Sequence, residues 1–278
     1  MRRRDFLTAA GTAALSIPRM ATAGPHPLRV GVVGAGILGT SIALHLALAG
    51  AQVTLFEGDA PASGATRNSY AWLNAFVADA HYRNLRLESL ARWRWLDRRF
   101  GLGITWGGYL NWGTGAEGLA TVAENLRQLE GSSSPARRIP PDELLRRAPY
   151  LTPGAVDDAL IAPSDGHLDP VDVTQRLLRA AHASGVRLQC PAIVSGLTLR
   201  GNRLVAVQTT HDTIPLDRLV IAAGTATPKI ASLAGTPLTL SHAPGILAHT
   251  TPLAAFTSFN HEGPGEASFK QQIGRAHV

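Results

Sequence analysis

The chain is poor in the residues that build several common kinds of site. It has one cysteine, Cys190, so no intrachain disulfide can form in any compartment. The cysteine lies in the apolar stretch 186–193, and we expect it to be a small buried side chain. The ten histidines form neither an H-E-x-x-H motif nor a Cys/His cluster, and no G-x-S-x-G elbow precedes a helix. The sequence therefore predicts neither a metal site nor a serine nucleophile.

Long apolar runs and a strong net charge are also missing. After residue 23, no segment approaches the roughly 20 apolar residues that a membrane-spanning helix needs. The formal net charge of +6 falls to +3 without residues 1–23, since that segment holds four arginines and one aspartate. No basic stripe interleaved with aromatics is present, so we predict no nucleic-acid partner. With 45% hydrophobic and 17% charged residues, the 278-residue chain can build a substantial core in one or two domains.

The first residues have the pattern of an export signal. Arg3 to Leu7 reads Arg-Arg-Asp-Phe-Leu, which resembles the twin-arginine consensus, and a short apolar run follows from Phe6 to Ile17. Ala21-Thr22-Ala23 fits a small-x-small cleavage site. We predict a twin-arginine signal peptide over residues 1–23 and a protein that is periplasmic or otherwise exported, and soluble after cleavage. An uncleaved anchor and a disordered basic tail are the alternatives.

A glycine-rich motif lies between a predicted strand, Leu28–Val33, and a predicted helix, Ile37–Ala49. A second strand is predicted over Gln52–Phe56. Glycine at the first motif position permits a tight turn, at the second a close approach to a diphosphate, and at the third close packing of helix on strand. The helix N-terminus then faces the phosphates. The motif residues are Gly34, Ala35, Gly36, Ile37, Leu38 and Gly39.

Glu57 follows the second strand, 18 residues after Gly39. A carboxylate at this spacing accepts hydrogen bonds from ribose hydroxyls and repels a 2′-phosphate, which argues against NADP. The pattern predicts an adenine dinucleotide site, and a βαβ unit without a nucleotide is the alternative. The motif alone does not separate FAD from NAD.

The residues that follow favour FAD. The loop 62–69 has the sequence Ala-Ser-Gly-Ala-Thr-Arg-Asn-Ser. Here the chain resembles the D-amino-acid oxidase-like family of FAD-dependent amine oxidoreductases, in which a small-residue loop runs along the pyrophosphate towards the flavin. By position, the matching residues are Gly64, Ala65, Arg67 and Asn68. An ordinary Ser/Gly loop is the alternative.

The resemblance extends from residue 28 to about 272. The turn 163–170 resembles the family's Gly-x-x-x-Pro turn and precedes a predicted helix, Val173–Ser184. Resemblance implies that Val194 contacts the adenine end through its backbone and that a strand ending at Ala223 and Gly224 returns beneath the cofactor. Strands are predicted over Val186–Cys190, Ile193–Leu199, Leu204–Thr210 and Leu219–Ala223, with a hairpin turn at Gly201-Asn202.

Between these cofactor segments we predict part of a substrate domain. Apolar residues at helical spacing predict a helix through Leu87–Phe100, and alternation predicts a strand over Ile104–Trp112. Two further strands are predicted at Pro237–Leu240 and Ile246–Thr250. His167, within the turn 163–170, is interpreted as a capping or surface residue.

The predicted fold class is α/β. An FAD-binding Rossmann-like domain with a parallel sheet is interleaved with an α+β substrate domain that is truncated at the C-terminus. Residues 273–278 match what one frame of a sequencing-adapter oligonucleotide encodes, so we predict a non-native tail, with a natural short C-terminus as the alternative. The FAD-binding domain is assigned residues 28–100 and 159–235, and the substrate domain residues 101–158 and 236–272.

The resemblance implies an FAD-dependent oxidoreductase that oxidises an amine or D-amino acid. Hydride would pass from the amine-bearing carbon to the flavin, and water would hydrolyse the resulting imine. The partners would be a small-molecule amine or amino acid, oxygen or a respiratory carrier as electron acceptor, and the twin-arginine export machinery. The catalytic residues stay unknown. The alternatives are another flavin or NAD oxidoreductase of small hydroxy acids, or a non-catalytic nucleotide-binding fragment.

Overall fold

A computed structural model describes residues 27–241, 245–265, 268–272 and 275–277. The predicted signal peptide lies outside these described residues, as do residues 273, 274 and 278 of the predicted tail. Six α-helices are present in the described chain: α1 Ile37–Leu48, α2 Ala80–Phe100, α3 Gly115–Leu129, α4 Pro141–Arg147, α5 Pro170–Ala183 and α6 Thr227–Ser232. A short 3₁₀-helix spans Gly224–Ala226.

Fifteen strands accompany the helices in the described chain. They are β1 Arg29–Val33, β2 Gln52–Phe56, β3 Trp72–Leu73, β4 Tyr109–Gly113, β5 Arg137–Ile139, β6 Asp158–Ala162, β7 Gly166–His167, β8 Arg187–Gln189, β9 Val194–Arg200, β10 Arg203–Thr209, β11 Thr213–Pro215, β12 Arg218–Ile221, β13 Asn260–Glu262, β14 Ser268–Gln272 and β15 Arg275–His277. Among described helices, none is long and apolar enough to cross a membrane.

The chain divides into two compact units. Among the described residues, the first unit comprises residues 27–61 and Leu178–Leu240, and the second unit comprises Ala62–Leu177 and the described part of residues 241–277. The predicted FAD-binding segments 28–100 and 159–235 therefore include residues of both units. The predicted domain boundaries stay predictions.

A parallel sheet forms the centre of the first unit. Its strand order is β12-β1-β2-β8, and all three pairings are parallel. Apolar and β-branched residues make β1 and β2 suitable for burial on both faces, and Val32, Leu55 and Phe56 are completely buried. The predicted strands and the helix of this βαβ unit are confirmed to within one residue.

An antiparallel sheet of order β11-β10-β9 completes the first unit. Arg200 pairs with Arg203 across Gly201 and Asn202, which confirms the predicted hairpin. Strand β11 was absent from the sequence prediction because its three residues, Thr213–Pro215, are too few to show a period. Val207 and Leu216 pack beneath this sheet in one apolar cluster with Phe56 of β2.

A mixed sheet forms the centre of the second unit. Its order is β15-β14-β13-β4-β6-β5, with β13 and β4 parallel and the other pairs antiparallel. All five residues of β4 and all five of β6 are buried. Helix α3 contacts both strands, and Val122 of α3 packs with Tyr109 and Leu160. Helices on a largely antiparallel sheet give the α+β arrangement.

Three predicted strands differ from the structure, two of them in the second unit and one, Pro237–Leu240, at the end of the first. The strand predicted over Ile104–Trp112 begins only at Tyr109, because Gly108 has a φ of +94° and its N–H donates to the carbonyl of Asp165. Pro237–Leu240 and Ile246–Thr250 form no strand. Leu238, Leu240 and Ile246 are exposed, so these side chains lack the burial on which β-propensity depends.

Two single-residue predictions were also wrong. Cys190 is exposed, although the stretch around it is apolar, because it follows the end of β8; its Sγ lies 3.1 Å from the carbonyl oxygen of Asp59. His167, predicted as a capping or surface residue, is buried on β7, and its Nε2 lies 2.9 Å from the carbonyl oxygen of Gln271. The exposure of Cys190 and the burial of His167 both depend on neighbouring strands, so the hydrophobicity of the local sequence does not predict them.

Candidate functional site

The turn from β1 to α1 accepts only glycine at two positions. Gly34 has a φ of +101°, and a Cβ there would overlap the backbone at Ala222 and Ala223. A Cβ on Gly39 would overlap the carbonyl oxygen of Gly34. Helix and strand therefore approach each other as closely as their backbones allow, as the sequence motif predicts.

The helix that follows this turn begins without a side-chain cap. Gly36 is its N-cap residue and supplies no side-chain hydrogen bond, and its first turn has no acidic residue. Backbone N–H groups at an uncapped helix N-terminus, with the positive end of the helix dipole, suit a diphosphate. Ala35 is completely buried, Ile37 is half-buried and Leu38 is 70% exposed, so the turn presents backbone together with one exposed apolar side chain.

Glu57 is held beside this turn at the end of β2. Its Oε2 accepts a hydrogen bond of 2.8 Å from the N–H of Ala35, and its Oε1 accepts one of 3.0 Å from the N–H of Asp59. Its own N–H donates to the carbonyl of Gln189 on β8. An ionised carboxylate has about four acceptor positions, so the two backbone bonds orient the group and leave capacity for ribose hydroxyls.

The end of β12 lies against the same turn. The N–H of Ala222 donates to the carbonyl of Val33, and Ala223 and Gly224 then begin the short 3₁₀-helix, with Gly224 at a φ of +54°. Since β12, β1 and β2 are parallel neighbours, their carboxyl ends share one edge of the sheet, where nucleotides bind in such folds.

Val194 is the first residue of β9, and the segment just before it is hydrogen-bonded to Glu57 at this edge of the sheet. It is buried and pairs with Thr209, and two residues earlier the N–H of Ala192 donates to the carbonyl of Glu57. The first unit therefore brings together the motif turn, Glu57, the segment before Val194, and the Ala223–Gly224 pair. These residues fit FAD because Gly34 and Gly39 allow a tight turn that leads into the uncapped N-terminus of α1, and Glu57 supplies carboxylate oxygens beside that turn. Their individual contacts with a nucleotide stay predictions.

The loop predicted to follow the pyrophosphate belongs to the second unit. It forms consecutive turns in which the N–H of Arg67 donates to the carbonyl of Gly64 and the N–H of Asn68 to that of Ala65. The Asn68 side chain also lies 3.4 Å from the Gly64 carbonyl oxygen. A Cβ on Gly64 would meet no atom within 4 Å, so packing within the protein does not itself demand glycine there. The role of this loop stays a prediction.

Sequence reasoning missed a buried carboxyl group in the second unit. Asp165 is completely buried, and its Oδ2 accepts a 2.9 Å hydrogen bond from Nε1 of Trp72. Burial raises the pKa of Asp165 to about 8, against the opposing effects of the Trp72 hydrogen bond and the Arg94 charge. Within the described residues its Oδ1 has no hydrogen-bond partner. An aspartate in a Ser-Asp-Gly turn ordinarily indicates an exposed turn, so no sequence signal marks this one.

Two further buried titratable groups lie on β13 and β14. Lys270 donates through Nζ to the carbonyl of Leu168 at 3.0 Å, and burial lowers its pKa to about 8. His261 stacks on Phe269 with ring centroids 4.2 Å apart, and its Nε2 lies 2.8 Å from the hydroxyl of Tyr150. Burial lowers the pKa of His261 to about 4. The scarcity of lysine in the chain was the one signal that could have drawn attention to Lys270.

The described residues contain no group of three or more His, Cys, Asp or Glu side chains placed to hold a metal ion. In the first unit, the groups that could bind a ligand are backbone groups at the carboxyl ends of β12, β1 and β2, which we call the nucleotide edge. In the second unit, they are buried titratable side chains.

Known proteins resemble the chain over most of its length. Dimethylglycine dehydrogenase of Rattus norvegicus is 26% identical over 196 residues, which is 69% of this chain and 23% of that protein. The 4-methylaminobutanoate oxidase (formaldehyde-forming) of Paenarthrobacter nicotinovorans is 27% identical over 219 residues, 76% of this chain and 26% of that protein. The chain thus spans about a quarter of the length of the curated relatives it matches.

The fold is shared with a solved structure, L-proline dehydrogenase from P. horikoshii. The TM-score is 0.80 at 23% identity, over 91% of this chain and 70% of that one. This likeness confirms the predicted α/β fold with a parallel sheet.

The family described as DAO, FAD dependent oxidoreductase, matches residues 29–269. FAD is the cofactor that this description names, in agreement with the cofactor predicted from the sequence. Because the match covers most of the chain, the protein belongs to the DAO family of FAD dependent oxidoreductases.

Proposed function

We propose that the protein to which this chain belongs oxidises an amine or an amino acid with FAD. The observation that carries the proposal is the combination of a family match over residues 29–269 with a nucleotide edge whose Gly34 and Gly39 admit no Cβ. Both curated relatives described above are named for substrates that carry an alkylated amine. The substrate proposed here is an amine or a D-amino acid.

Bound FAD supplies the acceptor for a hydride from the carbon that bears the amine. The chain's own part is binding and orientation. The uncapped N-terminus of α1 holds the diphosphate, and Glu57, oriented by the N–H of Ala35, accepts from the ribose. A bare backbone allows the diphosphate to approach within hydrogen-bonding distance.

An absorbance spectrum of the chain purified from cytoplasmic expression tests this proposal. We expect two visible flavin bands that bleach, without oxygen, when a D-amino acid, dimethylglycine or 4-methylaminobutanoate is added. Bleaching by 2-hydroxy acids alone would support the alternative hydroxy-acid oxidoreductase. Colourless protein that binds ADP but no flavin would support the non-catalytic nucleotide-binding fragment.

The electron acceptor is a separate part of the proposal. Oxygen and a respiratory carrier are both compatible with the chemistry. Reoxidation of the bleached protein by air, with hydrogen peroxide formed, supports oxygen. Slow reoxidation by air but fast reoxidation by a soluble quinone supports a carrier.

We also propose that residues 1–23 direct twin-arginine export to the periplasm. Support comes from the Arg3-Arg4 pair and the Ala21-Thr22-Ala23 cleavage pattern. Replacing Arg3 and Arg4 together with lysine should retain the protein in the cytoplasm, whereas the control Arg19→Lys should leave export unchanged. Equal export of all three forms would refute the signal.

A further inference from the structure

A cavity in the second unit lies between the start of β3 and one face of α2. Its volume is about 250 Å³. Three aromatic side chains, Trp72, Tyr82 and Trp93, line it together with Arg86 and Asn74. None of the residues described as lining it is acidic. The cavity therefore combines aromatic walls with one positive charge.

Arg86 is fixed in this cavity without an ion pair. Its Nη1 donates to Oδ1 of Asn74 and to the carbonyl of Phe76, both at 2.9 Å. Its guanidinium carbon lies 4.7 Å from the ring centroid of Tyr82. Asn74 is itself held, because its Oδ1 also accepts from the N–H of Phe76. Among the described residues, Arg86 forms no ion pair.

A guanidinium has five N–H donors. The two bonds from Nη1 use two of them, so the two donors on Nη2 and the one on Nε remain for a ligand. A planar fork with free donors and no counter-charge matches a carboxylate, to which it can bond in a bidentate manner. Since its orientation is already fixed by two acceptors, little side-chain entropy remains to be lost on binding.

Neighbouring arginines of α2 lack this combination. Arg83 uses Nη1 on the carbonyls of Val77 and Ala78 and does not line the cavity. Arg94 donates to the carbonyl of Ser164 and lies over the ring of Trp106. Of these three arginines, Arg86 is the one that faces a cavity with aromatic walls.

We propose that this cavity binds a small carboxylate with an aromatic or apolar body. Arg86 pairs with the carboxylate, and the rings of Trp72 and Trp93 contact the body. A free amino acid and an unreactive organic acid share this chemistry. The proposal stands apart from FAD chemistry, because none of its contacts involves the nucleotide edge.

Titration of tryptophan fluorescence with phenylacetate tests the site in the full chain, with phenylacetamide as the uncharged probe of the same shape. We expect saturable quenching by phenylacetate and none by phenylacetamide. Arg86→Gln should weaken phenylacetate binding at least tenfold, and Arg83→Gln, the matched control on the same helix, less than twofold. Equal effects of the two substitutions, or no saturable quenching, would overturn the proposal.

A second variant tests the site even if Arg86→Gln does not fold. Ser89 is exposed and lines the cavity, so Ser89→Phe fills the space without altering the charge. It should abolish phenylacetate binding while the circular dichroism spectrum is unchanged; unchanged binding would contradict the site. Competition of D-phenylalanine with phenylacetate then identifies an amino acid as the ligand, and absence of competition identifies an organic acid. Because quenching requires no flavin, a colourless protein would still report on this site.

Discussion

The two units of the molecule build their chemistry from different parts of the chain. In the first unit, the candidate site consists mainly of backbone: Gly34 and Gly39 admit no side chain, and the N–H of Ala35 orients Glu57. In the second unit, the unusual groups are side chains, such as Asp165 and His261, that neighbouring strands bury. A backbone site needs particular glycines at fixed spacing, whereas a buried side chain needs only the correct neighbours in space.

This difference has an energetic consequence. Substitution of Gly34 or Gly39 in the first unit introduces steric overlap, which changes little with pH. Burial of a titratable group in the second unit disfavours its charged form, so its cost changes with pH. The two units should therefore respond differently to mutation and to acid.

The largest effect is expected for Gly39→Ala in the first unit. Its Cβ would overlap the carbonyl oxygen of Gly34, which is backbone and cannot rotate away. We expect the free energy of unfolding to fall by more than about 4 kcal/mol, as is typical of a severe packing conflict. We also expect no FAD to remain bound after purification. Gly245→Ala, where a Cβ meets nothing within 4 Å, should have no effect on either measurement. Full flavin content in Gly39→Ala would show that the turn is not the binding site.

The next largest effect is expected for Asp165→Asn in the second unit. The folded protein raises the pKa of Asp165 from 3.8 to about 8, so between pH 4 and pH 8 the folded state holds a proton that the unfolded state has lost. The stability contributed by Asp165 therefore falls as pH rises through this window. Asp165→Asn keeps an acceptor for Trp72 and should stabilise the protein by up to about 4 kcal/mol at pH 7 and hardly at all at pH 4.

Urea unfolding at pH 4 and pH 7 measures the effect of Asp165→Asn. The exposed carboxylate of Asp212 gives the control, and Asp212→Asn should shift neither curve. A variant with equal effects at both pH values would contradict a buried, protonated Asp165.

A somewhat smaller effect is expected from His261, whose contribution to stability rises with pH, whereas that of Asp165 falls. Its folded pKa of about 4 lies below the usual 6.5, so the unfolded state binds a proton first as pH falls. The stability contributed by a neutral His261 is fully present above pH 6.5 and declines by about 3 kcal/mol towards pH 4. His261→Gln should remove this contribution and so change the slope of unfolding free energy against pH between pH 4 and 6.5, measured by urea unfolding; the exposed His182→Gln should keep the original slope. An unchanged slope in His261→Gln would refute the assignment.

The smallest effect is expected for Glu57→Gln in the first unit. Glutamine can still accept from the N–H of Ala35, so the turn persists, but the charge-assisted bonds to the ribose are lost. We expect FAD affinity to fall about tenfold, or ~1.4 kcal/mol, with the unfolding midpoint unchanged. Asp59→Asn is the control, since Asp59 contacts Glu57 through its backbone N–H alone. Equal affinities in a fluorescence titration of FAD would remove Glu57 from the site.

The first unit was largely predictable because its patterns are local. The strand Gln52–Phe56 is found at the predicted residues, and the hairpin at Gly201-Asn202 joins the predicted strands. Each prediction depended on residues adjacent in sequence: a β-branched run and a pair suited to a tight turn. The same reasoning failed at Cys190, where an apolar stretch ends at an exposed strand terminus.

The second unit was less predictable because its sheet joins distant segments. Strand β13 pairs with β4 across about 150 residues, and no local pattern announced it. Ile246–Thr250 was predicted as a strand but forms none, and Ile246 is fully exposed. The Arg86 cavity likewise depends on β3 and α2 lying together, which no motif encodes.

By itself the sequence determined the βαβ unit, the glycine turn and the carboxylate of Glu57, because steric exclusion and strand periodicity act over a few neighbouring residues. Only the tertiary structure decided which polar side chains leave water. Asp165, His261 and Lys270 acquire their shifted pKa values from strands far away in the chain. Desolvation depends on everything that surrounds a group, and the folded chain alone brings those surroundings together.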